Sequence, residues 1–504
     1  MTVFEVKAGV TGQAGVFPTL RAAASAAKPG DTVIVHPGIY KETLRPPQGT
    51  TWQAAGPDVI IDGGWNGRTD VTTRPNQVTV NAPDVAIRGF TIRNVPGQGV
   101  AVAAGGDRFL MEDCTIHDCY SGGFGLNGMG TPVYDVVLRR VSISRVSRSW
   151  VVQKQPTNVS GCCLVRWGRN VLFDECSVVG GYGEGMAAGV ETIGMTIRNC
   201  LVADTMHLAI YASNRAQNVL VEGCVIYHTS DPEYTQGDGD IGTGIIVGDE
   251  TRPDTKDDRW QHAENVEVRG CLVVGNGGLF GIRNNLKKVA GAGPGPYDGY
   301  ETRIQNLWVH HCTFVGGPDT KTGIGLNENM IGFKVRGRFE NNVVILDRMR
   351  EGAVLLNREA AGVAFGGNAW SGLAAAQVPT SDLAIEASAL VNALADLPNR
   401  EAFDIDNYRP VALSPLVVDG QTVIGALEPA ADEPPPPPPP PPPPVEEPAE
   451  PPGQGAWREV LDEREQRLLG NCEEYADGEP GGFPGHTLIL LVDKLAGILD
   501  SKEG

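Results

Sequence analysis

Large rings, long apolar runs and positive charge are all scarce in this 504-residue chain. Aromatic residues make up 6% of it, while glycine reaches 65 residues. That balance suits a fold of many tight turns and thin β layers better than a helical bundle. No run of about 18 apolar residues occurs, so no hydrophobic helix of membrane-spanning length is expected. Lys and Arg together number 41 against 61 Asp and Glu, a formal net charge of -20. A surface so acidic repels phosphate backbones and anionic bilayers, which excludes nucleic acid and membrane as expected partners and favours a neutral or cation-bridged ligand. The opening MTVFEVKAGV has no basic segment followed by an apolar one, so the expected location is the cytoplasm or a virion rather than a secretory route.

What is present is a repeat. DVAIRGFTI from Asp84, RFLMEDCTI from Arg108, DVVLRRVSI from Asp135 and NVLFDECSV from Asn170 align with one another. GMTIRNCLV from Gly194, NVLVEGCVI from Asn218, NVEVRGCLV from Asn265 and NLWVHHCTF from Asn306 continue the series. Cys176, Cys200 and Cys224 follow one another at intervals of 24 residues, within the range of stacked repeats. Inside each unit apolar and polar residues alternate as in a strand, and a second short strand such as LAIYA at Leu208 or GTGIIV at Gly242 follows. Such periods leave no room for a crossover helix. Each strand must therefore pair in parallel with its counterpart one repeat away, and parallel crossovers are right-handed.

Side chains of one phase then stack about 4.8 Å apart. The expected inner ladder is Cys114, Cys176, Cys200, Cys224, Cys271 and Cys312, closed by Asn342, with the cysteines acting as small buried hydrophobes rather than disulfides. Cys119, Cys162, Cys163 and Cys472 fall outside that phase, and their redox state is left open.

At the N-terminus, a short amphipathic helix from Thr19 to Lys28 precedes GDTVIV, PGIY and VIIDGG. This order, followed by units of the N-V-x-V-x-x-C kind, resembles the pectate-lyase-like superfamily of right-handed parallel β-helix proteins. The resemblance spans roughly residues 15 to 428 and implies a fold, not an activity. The expected architecture is all-β: a right-handed parallel β-helix solenoid over 1–428 with an N-terminal helical cap. The segment containing SPLVVDG is expected to close its far end.

Pro434 to Pro444 form an unbroken run, a semi-rigid rod of roughly 35 Å within a linker over 429–455. Beyond it, residues 456–504 read as a small α-helical hairpin. Its second helix, with Leu488, Ile489, Leu490, Leu491, Val492, Leu495, Ile498 and Leu499, is too apolar to be covered by the first. Self-association or docking on a larger assembly is expected of it.

The resemblance implies polysaccharide as the partner, bound in a groove along the solenoid. Three insertions, Thr229–Asp240, Asp249–Glu264 and Asn284–Arg303, fall in successive coils and are expected to form one wall over that groove. Asp231, Glu233, Asp238 and Asp240 make one of them dense in carboxylates, suited either to an acid/base pair or to Ca²⁺; an exposed turn with solvated carboxylates, needing no cofactor, is the plainer reading. Asp238, Asp240, His228 and Arg283 are the candidate catalytic residues. Tyr211, Arg215, Asp249, Trp260, Asn285, Lys287, Asn327 and Glu328, at like positions in neighbouring coils, are the candidate sugar contacts, with Glu184 and Tyr234 nearby. An ordinary polar outer face would look much the same.

No complete polygalacturonase-like or pectate-lyase-like motif is present, so no family residue carries over. Polysaccharide lyase, glycoside hydrolase and non-cleaving binder all stay open. So does a virion component of tailspike or fibre type that uses the coil as a rigid receptor-binding body.

Overall fold

A computed structural model describes residues 1–10, 12–149, 161–213, 215–236, 239–249, 262–284, 303–326, 334–357, 360, 362–390, 404–409, 416–418, 421–422 and 424–427. By backbone contacts the chain divides into Met1–Pro448 and Ala449–Gly504. The second unit, and with it the hairpin expected over 456–504, lies outside the described residues, as does the proline run.

Three parallel sheets wind along one axis. Sheet A has fourteen strands, sheet B thirteen and sheet C ten. One coil reads Gln217–Glu222 in sheet A, Val225–Tyr227 in sheet B and Thr243–Asp249 in sheet C, and His262–Arg269 then begins the next turn beside Gln217–Glu222. Each coil thus carries three strands, the upper end of the two or three short strands that one period is read to hold. The nine-residue repeat unit is itself broken: in NVLVEGCVI the first strand ends at Glu222 and the second starts at Val225, with Gly223 between them in the left-handed region at φ 61.

That junction is constant. From Arg88–Thr91 to Gly366–Ala369 the strands of sheets A and B are separated by two residues. The first takes positive φ, as in Asp113, Arg140, Glu175, Asn199, His311 and Asn341. A non-glycine residue held there costs about 1 kcal/mol or more. Stacking returns part of this: Arg140 makes two hydrogen bonds to Asp113, of 2.6 and 3.0 Å. At the start of the sheet A strands, Asn306 Nδ2 donates to Asn265 Oδ1 and Asn265 Nδ2 to Asn218 Oδ1, both at 2.8 Å.

The second junction residue points inward and forms the thiol ladder. All nine described cysteines are buried and free. The register places Val141 between Cys114 and Cys176, so the ladder is interrupted once and is continuous only from Cys176 to Cys312. Each thiol donates to a carbonyl of the preceding coil, Cys200 to Phe173 at 3.6 Å and Cys224 to Ile197 at 3.5 Å. Asn342 and Asn368 take over these bonds with amides, to Val309 at 3.0 Å and Phe339 at 2.8 Å, and Asp382 ends the row by accepting from Asn368 and from the Trp370 indole.

The outer face of sheet A bears a second ladder, of alternating charge: Arg88, Glu112, Arg139, Asp174, Arg198, Glu222 and Arg269 are in register. Arg88 meets Glu112 at 2.8 Å, Arg198 meets Asp174 at 2.8 Å and Arg269 meets Glu222 at 2.8 Å.

At the N-terminal end the helix forms as Leu20–Ala26, with Leu20 and Ala23 buried beside strands Val3–Val6 and Val16–Phe17. Thr19 Oγ1 caps Ala22, and the Glu42 carboxylate accepts from Leu20 and Arg21. The far end departs from the sequence expectation. Leu373 and Val378 pack against the end of the interior, and the chain then turns back along the solenoid. Leu390, Tyr408, Leu416 and Ile424 bury themselves against Tyr227, Leu272, Val274, Val315, Val343 and Ile345, the outward residues of sheet B. Gly425 N donates to Asn341 O and Ala426 N to Thr313 Oγ1, both at 3.0 Å. The closing segment is thus a strap on one side wall. Among the described residues, no helix is long and apolar enough to cross a membrane.

Candidate functional site

Because the turn between sheets A and B stays at two residues from Arg88 onward, the insertions of these coils enter at an edge of sheet C. Residues 63–77, 145–162 and 228–242 join sheet B to sheet C; 250–261, 285–302 and 327–333 join sheet C to sheet A. The three insertions expected to form one wall are therefore divided. Thr229–Asp240 lies on the B–C edge, and the other two leave neighbouring strands at the C–A edge, where Asp249 pairs with Asn284.

Thr229–Asp240 is built from named contacts. Thr229 donates through its N–H and its hydroxyl to Asp204 Oδ1, at 2.7 and 2.8 Å, and Ser230 Oγ donates to Asp319 at 2.6 Å. Asp231 accepts from Glu233 N at 2.9 Å and opens the short 3-10 turn Pro232–Tyr234. Glu233 bonds the Tyr182 hydroxyl, and Asp240 pairs with Lys321. Asp231, Glu233 and Asp240 thus each hold a partner within the protein. Among the described residues no group of three His, Cys, Asp or Glu is placed to hold a metal ion.

His228 lies inside the coil, 0% exposed, its Nδ1 accepting from Ser230 N at 3.0 Å and standing 3.6 Å from Asp204. A polymer on the surface does not reach it in this structure. Tyr211 is 3% exposed, packed with Ala187, Leu208 and Ile246, and Tyr234 is 2% exposed against Tyr182 and Met206; neither ring lies open for stacking on a sugar. Both were candidates because they fall on polar-looking segments, and both are drawn in by apolar neighbours on adjacent coils. Arg215 pairs with Glu191 at 3.0 Å, at the turn after sheet C. Arg283 stands in the sheet C strand Gly278–Asn284, opposite Gly248, and Asp249 ends the strand below it. Asp238, Trp260, Asn285, Lys287, Asn327 and Glu328 lie outside the described residues.

Glu184 and His207 come together at the B–C edge, with Oε1 and Nδ1 3.9 Å apart and side chains 10% and 18% exposed. A carboxylate beside an imidazole can hold and direct a proton. Glu184 was on the sequence-derived stripe and His207 was not. Its place is legible only from the register, which puts Leu208 opposite Thr243 and so His207 one residue before the start of the strand.

Residues 76–257 match the family model described as "Right handed beta helix region". The described residues of the first unit form a parallel β-helix, of the right-handed kind by that match. Among solved structures, pectate lyase Pel9A is 12% identical over 85% of this chain and 97% of its own, with TM-score 0.46. A rhamnogalacturonan lyase is 11% identical over 83% and 97%, with TM-score 0.40. The Dettilon tailspike protein is 12% identical over 72% and 63%, with TM-score 0.38. No curated protein matches the β-helix in sequence.

Proposed function

We propose that this β-helix binds a polysaccharide along the outer face of sheet C. The observation that carries the reading is the distribution of insertions: sheet C alone receives them on both edges, while from Arg88 onward the A–B junction stays at two residues. Insertions on both edges of one sheet flank the face along which a sugar chain would lie, and binding groups on a repeat scaffold sit on such insertions.

In this reading Asp249, Asn285, Lys287, Asn327 and Glu328 meet sugar hydroxyls, Arg215 borders that face and Trp260 stacks on a ring. Asp238, Asp240 and Arg283, with the Glu184–His207 pair, are the groups placed to act on a glycosidic linkage. Incubation with uronate and neutral glycans, read by binding, by new reducing ends and by unsaturated products, tests it. Unsaturated ends mark a lyase, reducing ends alone a hydrolase, and binding without either a receptor-binding body. That last outcome is the second reading, favoured by the proline run and the apolar stretch at residues 488–499. Activity that survives Asp238→Asn, Asp240→Asn and Arg283→Ala combined removes these three residues from the chemistry.

A further inference from the structure

Along the turn from sheet B to sheet C, one position in each of five successive coils takes positive φ: Asn94, Asp118, Arg145, Gly180 and Asp204, at 53, 56, 50, 69 and 50. The register stacks them in one row. Four carry side chains. The fifth cannot, since a Cβ on Gly180 would stand 2.7 Å from the Tyr234 hydroxyl. The missing side chain opens a slot in the row, and Tyr234, borne by the insertion of a later coil, fills it.

The slot is also fitted around that ring. Tyr182 packs on Tyr234 with centroids 5.1 Å apart, and Met206 completes the cluster. The Arg148 guanidinium lies 4.5 Å over the Tyr182 ring, bonds its hydroxyl and stands 3.4 Å from Glu233, which bonds the same hydroxyl. Arg148 and Glu233 are 41% and 51% exposed, so the polar half of this assembly is open to water. Among its described residues the segment adds no strand to any sheet. It is held by one buried ring, by the two bonds of Thr229 to the buried Asp204 and by a few surface bonds, the kind of element that opens without the solenoid unfolding.

Its neighbours give the opening a consequence. Tyr182 precedes Glu184 by two residues and Met206 immediately precedes His207. We infer that Thr229–Gln236 is a latched lid on the B–C edge: withdrawal of Tyr234 from the slot over Gly180 uncovers the Glu184–His207 pair. The inference takes its importance from the reading of sheet C as the binding face, but its test uses no glycan, so the two fail separately.

Hydrogen exchange and diethyl pyrocarbonate modification of the full chain, both read by mass spectrometry, test it together. In Tyr234→Ala, exchange within 229–236 and modification of His207 should each rise roughly tenfold while His36 reacts as before and the melting temperature of the coil holds. Tyr234→Phe, which keeps the ring, should stay close to wild type. Glu233→Ala, which leaves the core untouched, should move both readouts in the same direction by a smaller factor and serves if Tyr234→Ala unfolds. Faster exchange with unchanged His207 reactivity, or unchanged exchange in the folded variants, overturns the inference.

Discussion

A buried thiol in this interior is inert for an electrostatic reason. Burial pushes the Cys114 thiol up to about 12 and the Cys162 thiol up to about 11, since an anion there has no water to solvate it. In the unfolded chain a cysteine ionises near pH 8.5. The folded values are higher, so the stabilisation is complete below about pH 8.5 and drains away as pH rises through the folded values, because the unfolded chain sheds its protons first. The guanidinium midpoint should therefore fall between pH 8.5 and 11, with a flatter dependence in Cys114→Ala. Native labelling at pH 7.5 should leave Cys200 and Cys224 unreacted. Asp174 works in the opposite direction. Burial opposes its charge, but the hydrogen bonds of Arg198 at 2.8 Å and Arg139 at 3.2 Å outweigh that and hold its carboxyl below the ordinary range. Its contribution is present above about pH 4 and lost as pH falls through the lowered value. Asp174→Asn should cost about 3 kcal/mol in denaturant melts at pH 7, because two half-buried guanidinium groups lose their shared partner, and the variant should lose less on acidification than the wild type.

Among the elements, the repeat units were legible and the strap was not. In NVLVEGCVI the apolar positions Val219, Val221, Cys224 and Ile226 alternate except for one step of three, and that step is the left-handed residue that splits one apparent strand into two. The pattern thus held the third strand of each coil in plain view. No comparable period marks Leu390, Tyr408, Leu416 and Ile424, which are spread along an irregular stretch and recognisable as one apolar row only after sheet B has laid down the surface they cover. The same dependence hid His207 and misplaced Tyr211 and Tyr234, whose burial is decided by coils above and below. If the strap holds the side wall as its packing indicates, Leu416→Ala should cost about 2–4 kcal/mol by thermal or denaturant unfolding and increase binding of a hydrophobic dye, because a fully buried leucine leaves a cavity over Val343 and Ile345. A loss under about 0.5 kcal/mol would mean the segment lies on sheet B without securing it.

On the scale of the whole molecule, the division of labour among the three sheets is the central point. Sheet A bears a charge ladder and the later coils of sheet B the strap, whereas sheet C has insertions on both edges. The solenoid could be foreseen from residue spacing because each coil repeats the same local rules; the division of the insertions between two edges could not, because it depends on where the third strand of each coil begins and ends. Amide hydrogen exchange with and without a glycan that binds gives the most direct test. Protection should appear in the sheet C strands Met186–Ala188, Leu208–Ala212, Thr243–Asp249 and Gly278–Asn284 and their flanking loops, with the sheet A strands Gln217–Glu222 and His262–Arg269 unchanged. Protection centred on the outer face of sheet A, or on the strap over sheet B, would contradict the assignment of the binding face.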